Sequence, residues 1–344
     1  MQQFASDNQA GLCPEAMAAL AVSNATGHEP SYGDDRWTVE LQARMRSLFE
    51  TEACETFLVF NGTAANALAL AALCRPFEAT LCHAFSHIET DEAAAPEFFT
   101  GGAKLMVADT PGGKLTPAAV EGLARRYEGV HHVKARALSL TQSTELGTVY
   151  TLDEVRALTA VARAHGLKVH MDGARFANAV ATLGCQPADL GWRAGVDVLS
   201  FGATKNGLAV GEAVVFFDPS LADAFAWRVK QTGQLASKMR FVAAPWCALI
   251  EGDVWLKNAR HSNAMARRLA EKLAALQGVR IMHPVEANAV FAEIPVAAQA
   301  AVRAKGWRFY TFLGETGCRL MCAWDTTPET VDRFASDLAT AAAR

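Results

Sequence analysis

Five short segments place reactive side chains beside small residues at the ends of apolar runs. In Asp197-Val198-Leu199-Ser200-Phe201-Gly202-Ala203-Thr204-Lys205-Asn206-Gly207, a lysine lies four residues beyond an apolar run, in a turn of small residues. Such an amine is poised over a pocket where it can bond a carbonyl, although loop lysines are commonly surface groups. In His170-Met171-Asp172-Gly173-Ala174-Arg175, a carboxylate and a guanidinium follow a strand three residues apart, as a ligand-binding pair or a structural ion pair. Phe60-Asn61-Gly62-Thr63-Ala64-Ala65-Asn66 leads from a strand into a small-residue helix. Gly62 permits close backbone approach, Thr63 adds a hydroxyl, and the helix start offers free N–H groups, which suits a phosphate as well as an ordinary N-cap turn. His83 and His87, with Glu89 and Glu92 nearby, have the i,i+4 spacing of a zinc pair. They lack the H-E-x-x-H pattern and start at a strand end, so no metal is expected and a stacking or buried imidazole is preferred. Arg319, opening Arg319–Asp325, is a ligand contact or a solvated arginine.

Taken in chain order, these are a phosphate turn, a histidine, a strand-end aspartate and a strand-end lysine. Pyridoxal phosphate needs those parts. Its phosphate needs N–H donors and its ring a stacking partner. Its ring nitrogen needs a carboxylate to stay protonated, and its aldehyde needs a lysine.

Strands alternating with helices must position these groups. Strands are predicted at Phe57–Phe60, Thr80–His83, Lys104–Ala108, Arg136–Thr141, Lys168–Asp172, Asp197–Phe201 and Glu212–Asp218. Several are continuously apolar, as in strands covered on both faces. Thr151–His165 reads as a helix with Thr151 and Glu154 at capping-box positions. The pattern is α/β with a mostly parallel sheet, and ligands bind beyond the carboxyl ends of such strands. After residue 240 it changes to a long helix, Ala248–Gln277, strands at Val279–His283, Ala289–Ile294 and Arg319–Trp324, and helices at Val296–Lys305 and Pro328–Ala342. Two domains are expected, a large α/β domain over 1–240 and a smaller C-terminal α+β domain over 241–344.

The 344 residues are 51% hydrophobic and 20% charged, the balance of a globular chain that folds without staples. A net charge of −4 argues against nucleic acid as the main partner. No run approaches the ~20 apolar residues of a membrane span. The start lacks the basic and apolar regions of a secretory signal, and eight cysteines without C-x-x-C read as reduced thiols of a cytoplasmic protein.

The sequence resembles the L-threonine aldolase family of fold-type-I pyridoxal-phosphate enzymes along most of its length. The resemblance rests on Ser6-Asp7-Asn8, Tyr32-Gly33-Asp34-Asp35, Asn61–Asn66, His87, His170–Arg175, Ser200–Gly207 and Arg319. It implies a seven-stranded, mostly parallel sheet and Lys205 as the lysine bonded to the cofactor. Asp172 would meet the ring nitrogen, His87 would stack on the ring, and Gly62 and Thr63 would hold the phosphate. Arg175, Arg319 and Ser6 would contact the ring oxygen or the substrate carboxylate. It further implies active sites shared across a homodimer, commonly within a tetramer, with Tyr32 and the 230–240 region near that interface.

The implied reaction is retro-aldol cleavage of L-threonine, L-allo-threonine or related β-hydroxy-α-amino acids, such as phenylserine, to glycine and an aldehyde. His87, or a water it holds, is the expected base. The alternatives are transamination, racemisation or β-elimination on the same parts, and a metal hydrolase built on His83 and His87. One departure concerns the substrate side. Many relatives carry Glu-Asn-Thr-His-Asn where this chain reads Thr141-Gln142-Ser143-Thr144-Glu145, so Thr144 replaces a second histidine.

Overall fold

The computed structural model describes residues 3–342, so residues 1–2 and 343–344, the outer ends of the two expected domains, lie outside it. Seven strands form the large sheet: β1 Glu55–Val59, β2 Glu78–His83, β3 Lys104–Ala108, β4 Lys134–Thr141, β5 Lys168–Gly173, β6 Val198–Phe201 and β7 Glu212–Phe216. Their order is β1-β7-β6-β5-β4-β2-β3. β7 alone is antiparallel to its neighbours. Every residue of β2, β6 and β7 is buried, and β6 and β7 are apolar apart from Ser200 and Glu212, as in strands covered on both faces.

Each predicted strand of this sheet is present within two residues of its expected ends. The Leu152–Ala164 helix carries the expected capping box: Glu154 N–H donates to Thr151 Oγ1 (3.2 Å) and Thr151 N–H to Glu154 Oε2 (2.7 Å).

The C-terminal part holds a four-stranded antiparallel sheet in the order β10-β11-β9-β8. Its strands are β8 Arg280–Ile281, β9 Ala289–Glu293, β10 Tyr310–Leu313 and β11 Gly317–Met321. Two expectations change here. The single helix over Ala248–Gln277 is two helices, Arg240–Ile250 and Val254–Ala274. They are separated by Gly252 and Asp253, both in the left-handed region at φ 62° and 55°, which ends one helical path and starts another. β10 was not anticipated, because its residues are mostly exposed and its edge position demands no apolar run.

The two hydrophobic cores do not divide at residue 240. Ala243, Trp246, Cys247 and Leu249 of the Arg240–Ile250 helix belong to the large core. Phe4, at the start of the chain, belongs to the small one. Its ring stacks on Trp307 at 5.8 Å, its N–H donates to Arg308 O and its carbonyl accepts from Met321 N–H, both at 2.7 Å. The N-terminal arm is therefore stitched to the small domain just before it reaches the site. Val254, Trp255 and Ala259 of the next helix also belong to the large core, and we propose that the domains meet along these two helices.

Candidate active site

Beyond the carboxyl ends of β4, β5 and β6 lie two adjoining cavities, of about 290 and 450 Å³, both lined by Asn8, His87 and Lys205. The smaller is lined also by Gly62, Thr63, Asn66 and Asp172. The larger takes in Ser6, Thr144, Glu145, Arg175 and Arg319. The residues singled out in the sequence thus converge on one place, with the strand ends on one side and the small domain on the other.

Lys205 sits in the tight turn after β6, and that turn is held from beneath by Glu212 of β7. The Glu212 Oε2 accepts from Ala203 N–H at 2.6 Å and, at longer range, from Thr204 N–H. A side chain at Gly202 would strike the Ala174 backbone at 2.6 Å, so only glycine lets the two strand ends approach. Asn206 is fixed in turn, donating to Trp255 O (2.8 Å) while its carbonyl accepts from Asn258 (3.0 Å). Burial and then the Arg175 charge push the Lys205 ammonium below its ordinary value, favouring the nucleophilic free amine.

Asp172 ends β5. Its Oδ1 accepts from Ala174 N–H (2.9 Å) and its Oδ2 from Asn66 Nδ2 (2.8 Å). The same Asn66 amide donates to Glu92 Oε1 (2.9 Å), which also bonds His87 Nδ1 (2.8 Å). One chain of hydrogen bonds therefore links Asp172, Asn66, Glu92 and His87. The Glu92 hydrogen bond holds the His87 imidazole above its ordinary pKa, against burial. His87 Nε2 faces Asp91 at 3.5 Å.

His83 does not share this place. Its Nε2 meets Thr110 O at 2.9 Å and its ring stacks on Phe85. Among the described residues no three or more His, Cys, Asp or Glu side chains gather as a metal site. His170 is structural too, with Nδ1 on Ser139 Oγ and Nε2 on Ser200 Oγ, and burial pushes it down to about 4.

Arg175 and Arg319 differ. The Arg175 fork grips Asp7 through Nε (2.7 Å) and Nη2 (2.9 Å), and Asn288 donates to the same carboxylate (2.9 Å). Its strongest contact is thus within the chain. Arg319 Nε is buried without a hydrogen bond, and its guanidinium lies 5.4 and 5.0 Å from the Tyr310 and Phe312 ring centroids. Of the two, it is the guanidinium open to an incoming carboxylate. Ser6 Oγ accepts from Asn8 N–H at the rim (3.1 Å). Thr144 is buried, its hydroxyl bonded to Thr148 Oγ1 at 2.7 Å.

Asp7 joins the arm, the large domain through Arg175 and the small domain through Asn288. Burial pushes its carboxyl up, but the charge and hydrogen bonds of Arg175 outweigh this and hold it below the ordinary value. Asp7→Ala leaves a part-buried cation unpaired and is expected to cost about 3 kcal/mol, read by denaturant unfolding. Because the folded pKa is depressed, the stabilisation is present above the unfolded value of about 4 and is lost as pH falls through the folded one. The variant should therefore show a smaller loss of stability on acidification than the wild type over that window.

The Gly62–Leu73 helix begins at the smaller cavity, and Asn61 caps it, accepting from Ala64 N–H at 2.9 Å. The N–H groups of Gly62 and Thr63, at its first two positions, have no partner within the helix. These residues fit pyridoxal phosphate: free N–H donors for a phosphate, a fixed carboxylate for a pyridine nitrogen and an activated amine for an aldehyde. Asn66, Glu92, Glu145, Glu212 and Asp7 were not assigned roles from the sequence. Asn66, Asp7 and Glu145 lie within quoted motifs and Glu92 stands beside the histidine pair, while Glu212 carries no signal beyond its type, because it acts by reaching the Ala203 and Thr204 amides.

Residues 3–297 match the beta-eliminating lyase family. The low-specificity L-threonine aldolase of Pseudomonas aeruginosa is 56% identical over 98% of this chain and 97% of its own. That of a Pseudomonas species is 53% identical over the same shares. Among solved structures, Leishmania major threonine aldolase superposes with a TM-score of 0.93 at 27% identity, covering 99% of both chains. The architecture is that of the fold-type-I enzymes that use pyridoxal phosphate, with a small antiparallel C-terminal domain. The chain belongs to the beta-eliminating lyase family and, within it, to the low-specificity L-threonine aldolases.

Proposed function

We propose that this protein binds pyridoxal phosphate in the smaller cavity and cleaves L-threonine, L-allo-threonine and related β-hydroxy-α-amino acids to glycine and an aldehyde. The convergence of Lys205, Asp172 and the Gly62–Thr63 helix start on one cavity carries this reading, together with 56% identity to an enzyme of that name. When bound, the cofactor supplies an electron sink for the pair released from the Cα–Cβ bond.

The chain's own groups do the rest. Gly62 and Thr63 donate to the phosphate. Asp172, kept in place by Ala174 and Asn66, holds a proton at the ring nitrogen. Lys205 presents its amine to the aldehyde. Arg319 grips the substrate carboxylate, with Arg175 and Ser6 beside it. That grip sets the angle of the Cα–Cβ bond. His87, anchored by Glu92, offers its ring as a stacking face.

The test is release of acetaldehyde and glycine from L-threonine without an added keto acid. Transfer of the amino group to pyruvate with no aldehyde formed would favour an aminotransferase instead.

Thr144 bears on substrate breadth. It is smaller than histidine and is no base near neutral pH. The cavity beside it is completed by Phe85, Phe312 and Met321. Bulky and aromatic β-substituents should therefore be accepted, phenylserine included. An apolar pocket discriminates by only about 1–3 kcal/mol per methylene, so threonine and allo-threonine are expected within about tenfold of each other in kcat/KM. A comparison of the three substrates checks this, and strict preference for one small isomer would contradict it.

We further propose a homodimer, or a tetramer built from it, with an interface beside the phosphate end of the site. Phe60 and Trp227 are exposed by 61% and 74%. Close in sequence to Trp227, Lys230 lies over the Tyr32 ring at 4.5 Å. No helix among the described residues is long and apolar enough to cross a membrane. All eight cysteines are free thiols, which supports a reducing, cytoplasmic setting.

A further inference from the structure

We propose that Glu145 is the base that takes the β-hydroxyl proton of the bound amino acid as the Cα–Cβ bond breaks. The inference rests on the aldolase reading above.

The loop after β4 delivers this carboxylate to the larger cavity and holds it there. Thr144 N–H donates to Thr148 O at 2.9 Å, and Thr148 Oγ1 donates to Gly112 O at 2.6 Å. Gln142 closes the loop against Tyr150 with two hydrogen bonds, at 2.8 and 3.0 Å. Within this rigid turn, Glu145 Oε1 accepts from His87 N–H at 2.9 Å. The other oxygen, Oε2, is buried with no hydrogen bond of good geometry, and the Thr141 hydroxyl is the nearby donor. A buried carboxylate oxygen without a well-formed hydrogen bond is costly, and a chain that keeps one has a use for an acceptor there. Glu145 lines the same cavity as Lys205, Arg175 and Arg319.

The competing groups are committed elsewhere. The Thr144 hydroxyl is engaged with Thr148, and a threonine is no base near neutrality. His87 gives Nδ1 to Glu92 at 2.8 Å, and its Nε2 faces Asp91 at 3.5 Å, so both ring nitrogens have carboxylate partners. Burial first, and then the negative charge of Asp172, raise the Glu145 carboxyl to about 7. Arg175, Lys205, Arg319, Asp91 and His87 line its cavity with it, and its charge also reaches Cys82 and Tyr150. A carboxylate with a pKa near the working pH combines adequate basicity with a sizeable ionised fraction.

The step balances. The β-hydroxyl O–H bond breaks and its proton passes to the Glu145 carboxylate. The O–H electron pair becomes the second bond of the aldehyde carbonyl. The Cα–Cβ pair remains with Cα, which later gains a proton to become glycine. No oxidant or reductant is involved.

Glu145→Gln in the holoenzyme keeps the acceptor for His87 N–H and removes the base. Its kcat/KM for L-threonine should fall by about 100-fold or more. The wild-type profile of kcat/KM should rise with pH through an apparent pKa of about 7, and the variant should lack that limb. Exchange of the glycine α-proton in D₂O, followed by NMR, needs no β-hydroxyl base and should stay within about threefold of wild type. The melting temperature should not fall, since a neutral amide replaces a buried, unpaired charge.

Retention of kcat/KM within about fivefold of wild type, with the pH limb intact, would overturn the inference. So would a parallel loss of cleavage and glycine exchange, which would make Glu145 a structural residue. A wild type that exchanges the glycine α-proton yet releases no aldehyde from threonine would overturn the aldolase reading and this inference with it.

Discussion

Lys205→Ala is expected to abolish turnover of L-threonine, a loss of at least about 10⁴-fold in kcat. No other described amine lines both cavities. Its turn is built around it, with Glu212 below, Gly202 pressed against Ala174, and Asn206 tied to Trp255 and Asn258. Removing the side chain disturbs none of these contacts, since each is made by a neighbour or by backbone. The variant should therefore fold, and it should retain cofactor through the Gly62–Thr63 amides and Asp172. Steady-state assay measures the first effect and equilibrium dialysis the second. A variant with a few per cent of wild-type activity would place the essential amine elsewhere.

Asp172→Asn is expected to reduce kcat by about 10²–10³-fold, with a much smaller change in cofactor affinity. The substitution keeps the shape and removes the charge that keeps a ring nitrogen protonated. That charge matters most as the Cα–Cβ bond breaks, so its loss falls on the rate more than on ground-state binding. The local cost is visible as well. Both carboxylate oxygens are acceptors, from Ala174 N–H and Asn66 Nδ2. An asparagine must turn its NH₂ towards one of these donors, for about 1–3 kcal/mol of lost stability. Equal falls in kcat and cofactor affinity would mark Asp172 as a member of a structural network and not the partner of the ring nitrogen.

The large sheet was legible because its strands are covered on both faces. Burial there favours apolar runs such as Ala213–Phe216, which stand out between helical patterns. The small domain was less legible. β8, expected over Val279–His283, is only two residues long, and β10 is a largely exposed edge that needs no apolar signature. The Gly252 break was hidden because both flanking helices keep a helical period up to it.

The site divides the same way. Lys205, Asp172, Arg175 and the Gly62 turn carry a spacing signal, since each follows directly on a strand. Glu92, Glu212 and Glu145 do not. Their importance lies in contacts with His87, with the Ala203–Thr204 amides and again with His87, made across 5, 8–9 and 58 positions of the chain. Only the fold shows that three glutamates from separate segments brace the groups that would meet cofactor and substrate. Asp7, marked in the sequence only as part of the Ser6-Asp7-Asn8 run, is the buried counter-ion of Arg175 in space.

Borohydride reduction of the yellow holoenzyme, followed by peptide mapping, tests the assignment of the cofactor site most directly. The expected result is loss of the visible absorption band and a single pyridoxyl label on Lys205. A label on Lys230 or Lys168, or a purified protein that takes up no pyridoxal phosphate, would contradict it.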